Sequence, residues 1–470
     1  MLFPTVEFAI FFLIVFFASW LAYSKPLLRK YILLVASYFF YGYWDWRFAL
    51  LLFFCSYSSY WFGKWMSDSD DAIKRKRLII VSTVLNLGIL GFFKYYGFFV
   101  SNFNEMLLSL GIGYRIIALE VILPVGISFF TFQAMSYVID VYRNDIPAAK
   151  SPVDVLLYVS FFPQLVAGPI VRASEFLPQL YTHPEKNKIK AAQAATLILG
   201  GLFKKVVIAN YLAIQIVDPI FQNPLQYSSF DTIFGVYAYA VQIYCDFSAY
   251  SDIAIGLALL FGYEFTINFN HPYRSLSIQE FWRRWHISLS SWLRDYLYIP
   301  LGGNKKGRLM TYRNLLITMF LGGLWHGAAW NFVLWGALHG TGLAVERYIN
   351  EKRGKKEKTF FGKAISFFFV FNFVCLTWVF FRADSFSTAM QYLESIVKFD
   401  FSGSVLSPLG ITIILYGIAS NFTPQNWGVF IRDYFGRLNP VAQAAIFGGV
   451  LVLIGAFGPE GVAPFIYFQF

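Results

Sequence analysis

The sequence predicts an all-α polytopic membrane protein with about eleven transmembrane helices and additional re-entrant or interfacial helices. Of its 470 residues, 57% are hydrophobic and 21% are aromatic, whereas only 14% are charged. The mean hydropathy of +0.54 lies outside the range of soluble globular domains. Apolar runs close to the length of about 20 residues that a membrane crossing needs recur along the chain.

These runs define the predicted helices in chain order. The first run lacks a basic segment before it and a small-residue cleavage site, and other spans follow it, so we interpret it as a retained helix rather than a signal peptide. The main runs cover residues 3–23, 78–93, 153–171, 230–247, 315–338, 367–381, 411–420 and 444–457.

The positive charge of the chain is concentrated in short connectors. The formal net charge is +11, and the basic clusters lie at residues 24–30, 73–77, 185–190, 304–308 and 351–358. This placement is typical of cytoplasmic loops that set topology and attract anionic lipid, and it disfavours a nucleic-acid site. The same clusters are suited to hold a phosphorylated cofactor on that face.

Known soluble-enzyme motifs are missing from the sequence. The three cysteines, Cys55, Cys245 and Cys375, are far apart in apolar runs, which favours packing over a disulfide framework or a metal cluster. No phosphate-binding glycine loop, dinucleotide fingerprint, HExxH or GxSxG motif occurs.

The chain ends on the aromatic segment PFIYFQF, residues 464–470, which contains Tyr467. If the basic loop 351–363 is cytoplasmic, the spans 364–382, 405–421 and 441–458 bring the C-terminus to the outer face, and the same counting places Met1 outside. The segment alone fits either an interfacial aromatic anchor or a segment whose Tyr467 hydroxyl acts as a nucleophile.

Polar residues at membrane depth are costly and are therefore candidates for function. Residues 277–303 begin with Ser277 and Glu280 as a capping box and stop at Pro300, and their apolar residues are spaced by three and four. We predict an amphipathic interfacial or re-entrant helix that carries His286. A histidine held there only for packing is the alternative.

His326 lies deep in the apolar run 315–338, between Gly323 and Gly327. Glycines at this spacing let neighbouring backbones approach closely, and Trp325 and Asn331 supply stacking and hydrogen bonds. We expect a catalytic role for His326. His339 follows thirteen residues later, about 220° around a continuous helix, and we interpret it as a packing residue.

A third polar group occupies residues 244–252, where Asp246, Ser248, Ser251 and Asp252 cannot all face lipid. We expect this stretch to line a cavity or to brace the site. An ion pathway is the alternative reading, and it would belong to a transporter or channel.

These residues together resemble a known family. The stretches 247–256, 267–303 and 322–340 closely resemble the membrane-bound O-acyltransferase family, in the bacterial branch that includes the alginate O-acetylation membrane protein, and residues 124–143 and 161–176 also look like that branch. The resemblance implies a single membrane domain over 1–470, with N-terminal helices in 1–120, a catalytic core in 121–345 and C-terminal helices in 346–463. It also implies a tunnel that surrounds a central histidine.

The resemblance implies roles for individual residues. The invariant histidine of the family falls on His326, and its companion falls on His286. PFIYFQF looks like the aromatic motif of a small partner in teichoic-acid D-alanylation, which makes Tyr467 the predicted acyl carrier. The predicted catalytic residues are His326, His286 and Tyr467, the predicted substrate contacts are Trp325, Asn331, Asp246 and Trp285, and no metal site is predicted.

The resemblance finally implies a reaction. We expect no bound cofactor, cytoplasmic acetyl-CoA as donor, and an extracytoplasmic serine transferase of the SGNH type as the partner that O-acetylates a polysaccharide such as alginate or cellulose. The expected location is the bacterial cytoplasmic (inner) membrane. Peptidoglycan O-acetylation, teichoic-acid D-alanylation and a lipid or protein acyltransferase of the eukaryotic type are the alternatives.

Overall fold

The computed structural model describes residues 1, 3–354, 359–402, 404–424 and 426–457. These residues form helices and connecting turns, and no β-strand occurs among them. The predicted all-α class is therefore confirmed. The chain divides into two compact units, one of Met1–Ala194 with Ala254–Thr266 and one of Ala195–Ile253 with Ile267–Phe470. The predicted subdivision with a 121–345 core stays a prediction.

The first unit begins with capped helices. Thr5, Asp45 and Asp71 each accept a hydrogen bond from a backbone N–H in the first turn of the helix that follows them, which satisfies donors that a helix N-terminus leaves unpaired. The helices of this unit are α1 (Val6–Leu21), α2 (Pro26–Gly42), α3 (Trp46–Ser67), α4 (Ala72–Ser109), α5 (Ile127–Arg143), α6 (Pro152–Ser160), α7 (Phe162–Leu165) and α8 (Ala173–Tyr181).

The apolar run 153–171 does not form a single crossing, contrary to the sequence prediction. Helix α6 ends at Ser160, α7 contains four residues, and the chain then runs without helix to Arg172. Phe161, Phe162 and Leu165 at this break are fully buried. Irregular backbone at membrane depth is tolerated when protein covers it, and this segment is a buried, largely non-helical turn.

The second unit contains the candidate site. Most of the long apolar helix Ala191–Gln222 belongs to this unit. The helix includes two π-helical turns at Phe203–Ala209 and Ala213–Val217. The helices that follow α8 are α9 (Ala191–Leu202), α10 (Asn210–Leu212), α11 (Asp218–Gln222), α12 (Ser229–Leu260), α13 (Ile278–Arg284), α14 (Ile287–Leu293), α15 (Gly307–His326), α16 (Trp330–Arg353), α17 (Phe360–Arg382), α18 (Phe386–Val397), α19 (Pro408–Ala419), α20 (Asn426–Arg437) and α21 (Pro440–Phe457).

Five of the described helical stretches are long and apolar enough to cross a bilayer by length and composition. They are Ala72–Ser109, Ala191–Gln222, Ser229–Leu260, Phe360–Arg382 and Pro440–Phe457, and Val6–Leu21 and Pro408–Phe422 are shorter apolar helices. Several apolar helices thus agree with a multi-pass membrane protein. The number of about eleven crossings stays a prediction.

Candidate active site

The helix predicted over 277–303 is interrupted at its histidine. The N-cap prediction is confirmed, because the Ser277 hydroxyl accepts from the Glu280 N–H at 3.0 Å. However, α13 ends at Arg284, α14 starts at Ile287, and His286 between them has a left-handed backbone with φ of 42°. A π-helical turn at Arg294–Tyr298 then follows α14. The prediction of one continuous amphipathic helix was therefore wrong.

A neighbouring segment supplies the hydrogen bonds that the break requires. Asn270 N–H donates to the Arg284 carbonyl, and Ile287 N–H donates to the Asn268 carbonyl, both at 2.9 Å. The Asn268 side chain accepts from the Ser288 hydroxyl at 2.9 Å and donates to Ser251 at 3.1 Å. Tertiary partners thus replace the intrahelical bonds, which a local propensity argument cannot anticipate.

The imidazole of His286 caps the helix that it precedes. Its Nδ1 accepts from the Leu289 N–H at 3.3 Å, and the side chain is fully buried. A nitrogen that accepts a hydrogen bond carries no proton, so in the neutral ring the proton is on Nε2. The ring contacts Phe247 edge-on at 4.6 Å and Trp325 at 6.0 Å between centroids.

The apolar run 315–338 forms a helical hairpin rather than one span, which is a second correction to the sequence prediction. Helix α15 ends at His326, residues 327–329 turn, and α16 starts at Trp330. Close approach of the two helices requires glycine, because a Cβ on Gly323 would overlap the carbonyl oxygen of Phe332, and a Cβ on Gly336 would overlap that of Met319. The predicted close backbone approach is therefore confirmed at Gly323, whereas a Cβ on Gly327 would overlap the Phe332 ring.

His326 lies at the tip of this hairpin in an aromatic enclosure. It is 3% exposed, and its ring centroid lies 5.1 Å from that of Trp325, 5.0 Å from Trp335 and 5.2 Å from Phe381. Trp325 contacts both His326 and His286, so the structure brings the two predicted histidines to the same indole. They are forty residues apart in the sequence.

His339 has both ring nitrogens committed, which supports its reading as a packing residue. Nδ1 accepts from the Trp282 indole N–H at 3.3 Å, and Nε2 lies 3.0 Å from the Thr377 hydroxyl. That hydroxyl donates to the Val374 carbonyl at 2.7 Å, so Nε2–H is the donor to Thr377. The continuous helix from which its face was first inferred does not exist, because His339 is on α16.

Two predicted substrate contacts serve the architecture of the site. The Asn331 side chain donates to the Ala383 carbonyl at 2.8 Å and ties the start of α16 to the end of α17. Trp285 is buried, and its ring packs against Phe269 at 5.0 Å and Trp378 at 5.1 Å. Direct contact of either residue with substrate stays a prediction.

Asp246 forms an ion pair that sequence reasoning missed. Its carboxylate lies 2.8 Å from Lys205 Nζ, and the two side chains are 4% and 2% exposed. The adjacent Lys204 pairs with Asp252 at 2.6 Å and donates to Ser248 at 2.8 Å. The signal was present as two consecutive lysines inside the apolar stretch 196–217. Charges at this depth require partners, and the acidic residues of α12 supply them.

The loop before α13 contains His271, which links two segments of the second unit. Its side chain bonds the Ser420 backbone, and the pKa of His271 is lowered because burial disfavours the charged form and Arg274 repels it. Next to it, Tyr273 N–H donates to the Asn421 side chain at 3.2 Å. These contacts give His271 a structural role. Tyr467, the third predicted catalytic residue, lies outside the described residues.

Comparison with known proteins identifies the family. The membrane-bound O-acyltransferase family matches residues 144–383. A probable alginate O-acetylase from Pseudomonas aeruginosa is 42% identical over 85% of this chain and 75% of its own length. A peptidoglycan O-acetyltransferase from Helicobacter pylori is 38% identical over 84% of this chain and 80% of its own length.

A more distant relative is named for the transfer of a different acyl group, D-alanyl. A teichoic acid D-alanyltransferase from Streptococcus thermophilus is 30% identical over 54% of this chain and 67% of its own length. All three relatives are transferases, and none is a transporter or channel. The chain is a multi-pass O-acyltransferase and belongs to the membrane-bound O-acyltransferase family.

Proposed function

We propose that this protein transfers an acetyl group from cytoplasmic acetyl-CoA to the hydroxyl of Tyr467, and from there to an extracytoplasmic enzyme that O-acetylates a polysaccharide. The proposal rests on one observation: His286 and His326 are both buried, and both contact the ring of Trp325. Two such histidines are costly to bury within a bilayer unless they serve a function.

The chemistry requires a base and little else, because a thioester is already activated. His326 takes the proton of the tyrosine hydroxyl while the phenolic oxygen attacks the thioester carbonyl. The π electrons move onto the carbonyl oxygen and return as the C–S bond breaks. The imidazolium then protonates the leaving thiolate, so acetyl-tyrosine and free CoA thiol are the products. His286 and Trp325 orient the base or polarise the carbonyl.

The second step moves the acetyl group to a partner. A serine hydroxyl of the partner attacks the acetyl-tyrosine ester, its proton passes to the phenolate, and the Tyr467 hydroxyl is regenerated. A phenol ester has a better leaving group than an alkyl ester, which makes this transfer favourable. The partner is of the SGNH type in this proposal, and both termini of the chain lie on the outer face of the cytoplasmic membrane.

The relatives favour acetyl over D-alanyl as the acyl group. Identity is 42% with the alginate O-acetylase and 30% with the D-alanyltransferase, and coverage of the chain falls from 85% to 54%. For the final acceptor we propose a secreted polysaccharide such as alginate. Peptidoglycan is the second candidate, because the Helicobacter pylori enzyme is 38% identical over 84% of the chain.

The test uses purified full-length protein in proteoliposomes with acetyl-CoA labelled in the acetyl group. Mass spectrometry of the C-terminal peptide is expected to find the label on Tyr467. Tyr467→Phe removes the acceptor, and His326→Ala removes the base, so the label is expected to disappear in both variants. Tyr416→Phe, which changes an exposed tyrosine on α19, and His183→Gln, which changes an exposed loop histidine, are the matched controls.

Each outcome decides one part of the proposal. Label on Tyr467 in the His326→Ala variant would remove the base role of His326. Acetyl-CoA turnover without label on Tyr467 would make the terminal segment an interfacial anchor and would point to direct transfer onto the partner. Acetylation of purified alginate or of peptidoglycan, after addition of the partner enzyme, separates the two acceptors.

A further inference from the structure

Beside His326 there is an indole whose hydrogen-bond donor is not used. Trp335 on α16 is 1% exposed, and its ring centroid lies 5.0 Å from that of His326 with the planes nearly perpendicular. Its Nε1–H has no acceptor among the residues that the structure describes. A buried donor without an acceptor is destabilising, so this group requires an explanation.

Aromatic neighbours fix the orientation of Trp335. Trp378 stacks on it with 18° between the planes and 5.9 Å between centroids. His339 contacts it at 4.8 Å, Trp282 at 5.7 Å and Phe381 at 5.3 Å. An indole packed in this way cannot reorient to find a partner, and its donor is positioned before any substrate arrives.

Two other donors near the hairpin already have acceptors. The Trp282 indole N–H donates to His339, and the Asn331 amide donates to the Ala383 carbonyl. Asn331 is one of the predicted substrate contacts, and this bond holds its amide in a structural role. Trp335 therefore combines contact with His326, a fixed ring and an uncommitted donor.

We propose that the Trp335 indole N–H donates a hydrogen bond to the carbonyl oxygen of the acyl group in transfer, and stabilises the negative charge that develops on that oxygen. The inference rests on the proposed function of His326 as the centre of acyl transfer. The donor is neither consumed nor deprotonated. The carbonyl π electrons move to the oxygen during attack and return when the C–S bond breaks, while the N–H stays in place.

Acyl transfer requires such a donor because charge accumulates on the carbonyl oxygen in the transition state. In a site that excludes water, a prepositioned N–H stabilises the oxyanion more than the ground-state carbonyl. Removal of one donor of this kind lowers kcat by about 100–1000-fold in well-studied acyl-transfer enzymes. The expected effect is on kcat rather than on KM, because ground-state binding changes little.

The experiment replaces Trp335 with 3-benzothienyl-alanine, which keeps the bicyclic shape and substitutes sulfur for the N–H. Trp335→Phe is the second variant, in case the unnatural residue is not tolerated. Release of CoA thiol from acetyl-CoA is measured with full-length protein in proteoliposomes, together with the Tm. We expect kcat to fall at least tenfold with the isostere, KM to change by less than about threefold, and the Tm to stay close to that of the parent.

Trp378→Phe is the matched control. Trp378 is equally buried, and its ring stacks on Trp335 one layer away from His326. We expect a smaller loss of kcat in this variant than in Trp335→Phe. Folded isostere protein with kcat within threefold of the parent would overturn the donor role, as would equal losses in Trp335→Phe and Trp378→Phe.

His326→Ala in the same assay separates this inference from the proposed function. If His326→Ala is inactive and the isostere is active, the base role stands and the donor role fails. If the isostere loses activity and His326→Ala keeps it, the donor role stands and the base role fails.

Discussion

His286 has a structural role beside its proposed role in acyl transfer. Its backbone is left-handed, and its Nδ1 caps α14. Substitution by alanine removes the cap, which is worth about 0.5–2 kcal/mol, at a left-handed backbone that histidine adopts more readily than alanine. Asparagine tolerates the left-handed region and is a favoured N-cap residue. The ring nitrogen Nε2 is lost in both variants.

We therefore expect His286→Asn to keep a Tm close to that of the parent, and His286→Ala to melt at a lower temperature. Acyl transfer is expected to fall in both variants. Thermal unfolding in detergent, combined with thiol release from acetyl-CoA, measures the two effects separately. Full activity in a folded His286→Asn protein would restrict His286 to its structural role.

The buried pair of Lys205 and Asp246 gives a second prediction at the residue scale. Loss of one partner leaves an uncompensated charge in the interior, which typically costs about 3–5 kcal/mol. We expect Lys205→Met to destabilise the protein by about that amount, and the double variant Lys205→Met with Asp246→Leu to recover much of the loss.

A double-mutant cycle of unfolding free energies checks this expectation. The control is the more exposed pair of Lys204 and Asp252, whose side chains are 22% and 29% exposed. Neutralisation of that pair should cost less, because solvent screens partly exposed charges. Equal costs for the two pairs would contradict the prediction.

His271 predicts a pH dependence of stability. The pKa of His271 is lowered in the folded protein by burial and by Arg274, so the unfolded chain binds the proton more tightly. The stabilising contribution is complete above the unfolded value of about 6.5, and it is lost as the pH falls below that value towards the folded pKa. We expect the Tm to decrease between pH 7 and pH 5.

His271→Asn isolates this contribution, because asparagine tolerates the positive φ of 46° at this position. The slope of Tm against pH is expected to be smaller in the variant than in the parent. Identical slopes in the two proteins would assign the pH dependence to other groups.

At the scale of elements, the hairpin of α15 and α16 depends on its glycines. A Cβ on Gly323 would overlap the Phe332 carbonyl oxygen and would also come within 3.2 Å of the Gly336 Cα. Overpacking of this kind costs about 1–3 kcal/mol. Because His326 lies three residues further along α15, we expect Gly323→Ala to lower both the Tm and kcat.

Gly428→Ala on α20 is the control for this prediction, since a Cβ there meets nothing within 4 Å. That variant should be neutral or slightly more stable, because alanine favours a helix over glycine by about 0.5–1 kcal/mol. A Gly323→Ala protein as stable and active as Gly428→Ala would contradict the proposed close packing.

Two elements differ from their sequence predictions for the same physical reason. The Gly–Ala–Ala turn at 327–329 is as apolar as the helices on either side, so hydropathy does not mark it. The residues around His286 keep helical spacing, and the break becomes visible only with the hydrogen bonds from Asn268 and Asn270. Local periodicity contains no information about these distant partners.

At the scale of the whole molecule, the charge distribution predicts opposite membrane sides for two exposed loops of the second unit. Lys306 lies in the basic connector 304–308, and Ser402 lies between the spans 364–382 and 405–421. The positive-inside rule places the first in the cytoplasm and the second outside. We expect a membrane-impermeant maleimide to label Ser402→Cys in intact spheroplasts and to label Lys306→Cys only after permeabilisation.

The native protein is a suitable background for this measurement. Cys55, Cys245 and Cys375 are all buried, so they should react slowly. Labelling of both positions in intact spheroplasts, or of neither, would contradict the predicted topology. Labelling of Lys306→Cys alone would invert the topology and would place Tyr467 on the side opposite to its proposed partner.

The sequence by itself determined the all-helical membrane class, the family and the two histidines. Composition and apolar run length are sufficient for the first, because every backbone polar group must be satisfied within lipid. Motif residues such as the FWRRWH stretch around His286 and the GLWHG stretch around His326 are sufficient for the others.

Only the tertiary structure decided how these residues meet. It put Trp325 in contact with both histidines and bonded the Asn331 amide to the Ala383 carbonyl. It also paired Asp246 with Lys205 and left the Trp335 N–H without an acceptor among the described residues. Each of these facts depends on contacts between segments far apart in the chain. Such contacts follow from packing rather than from local pattern, and so the tertiary structure was required to assign them.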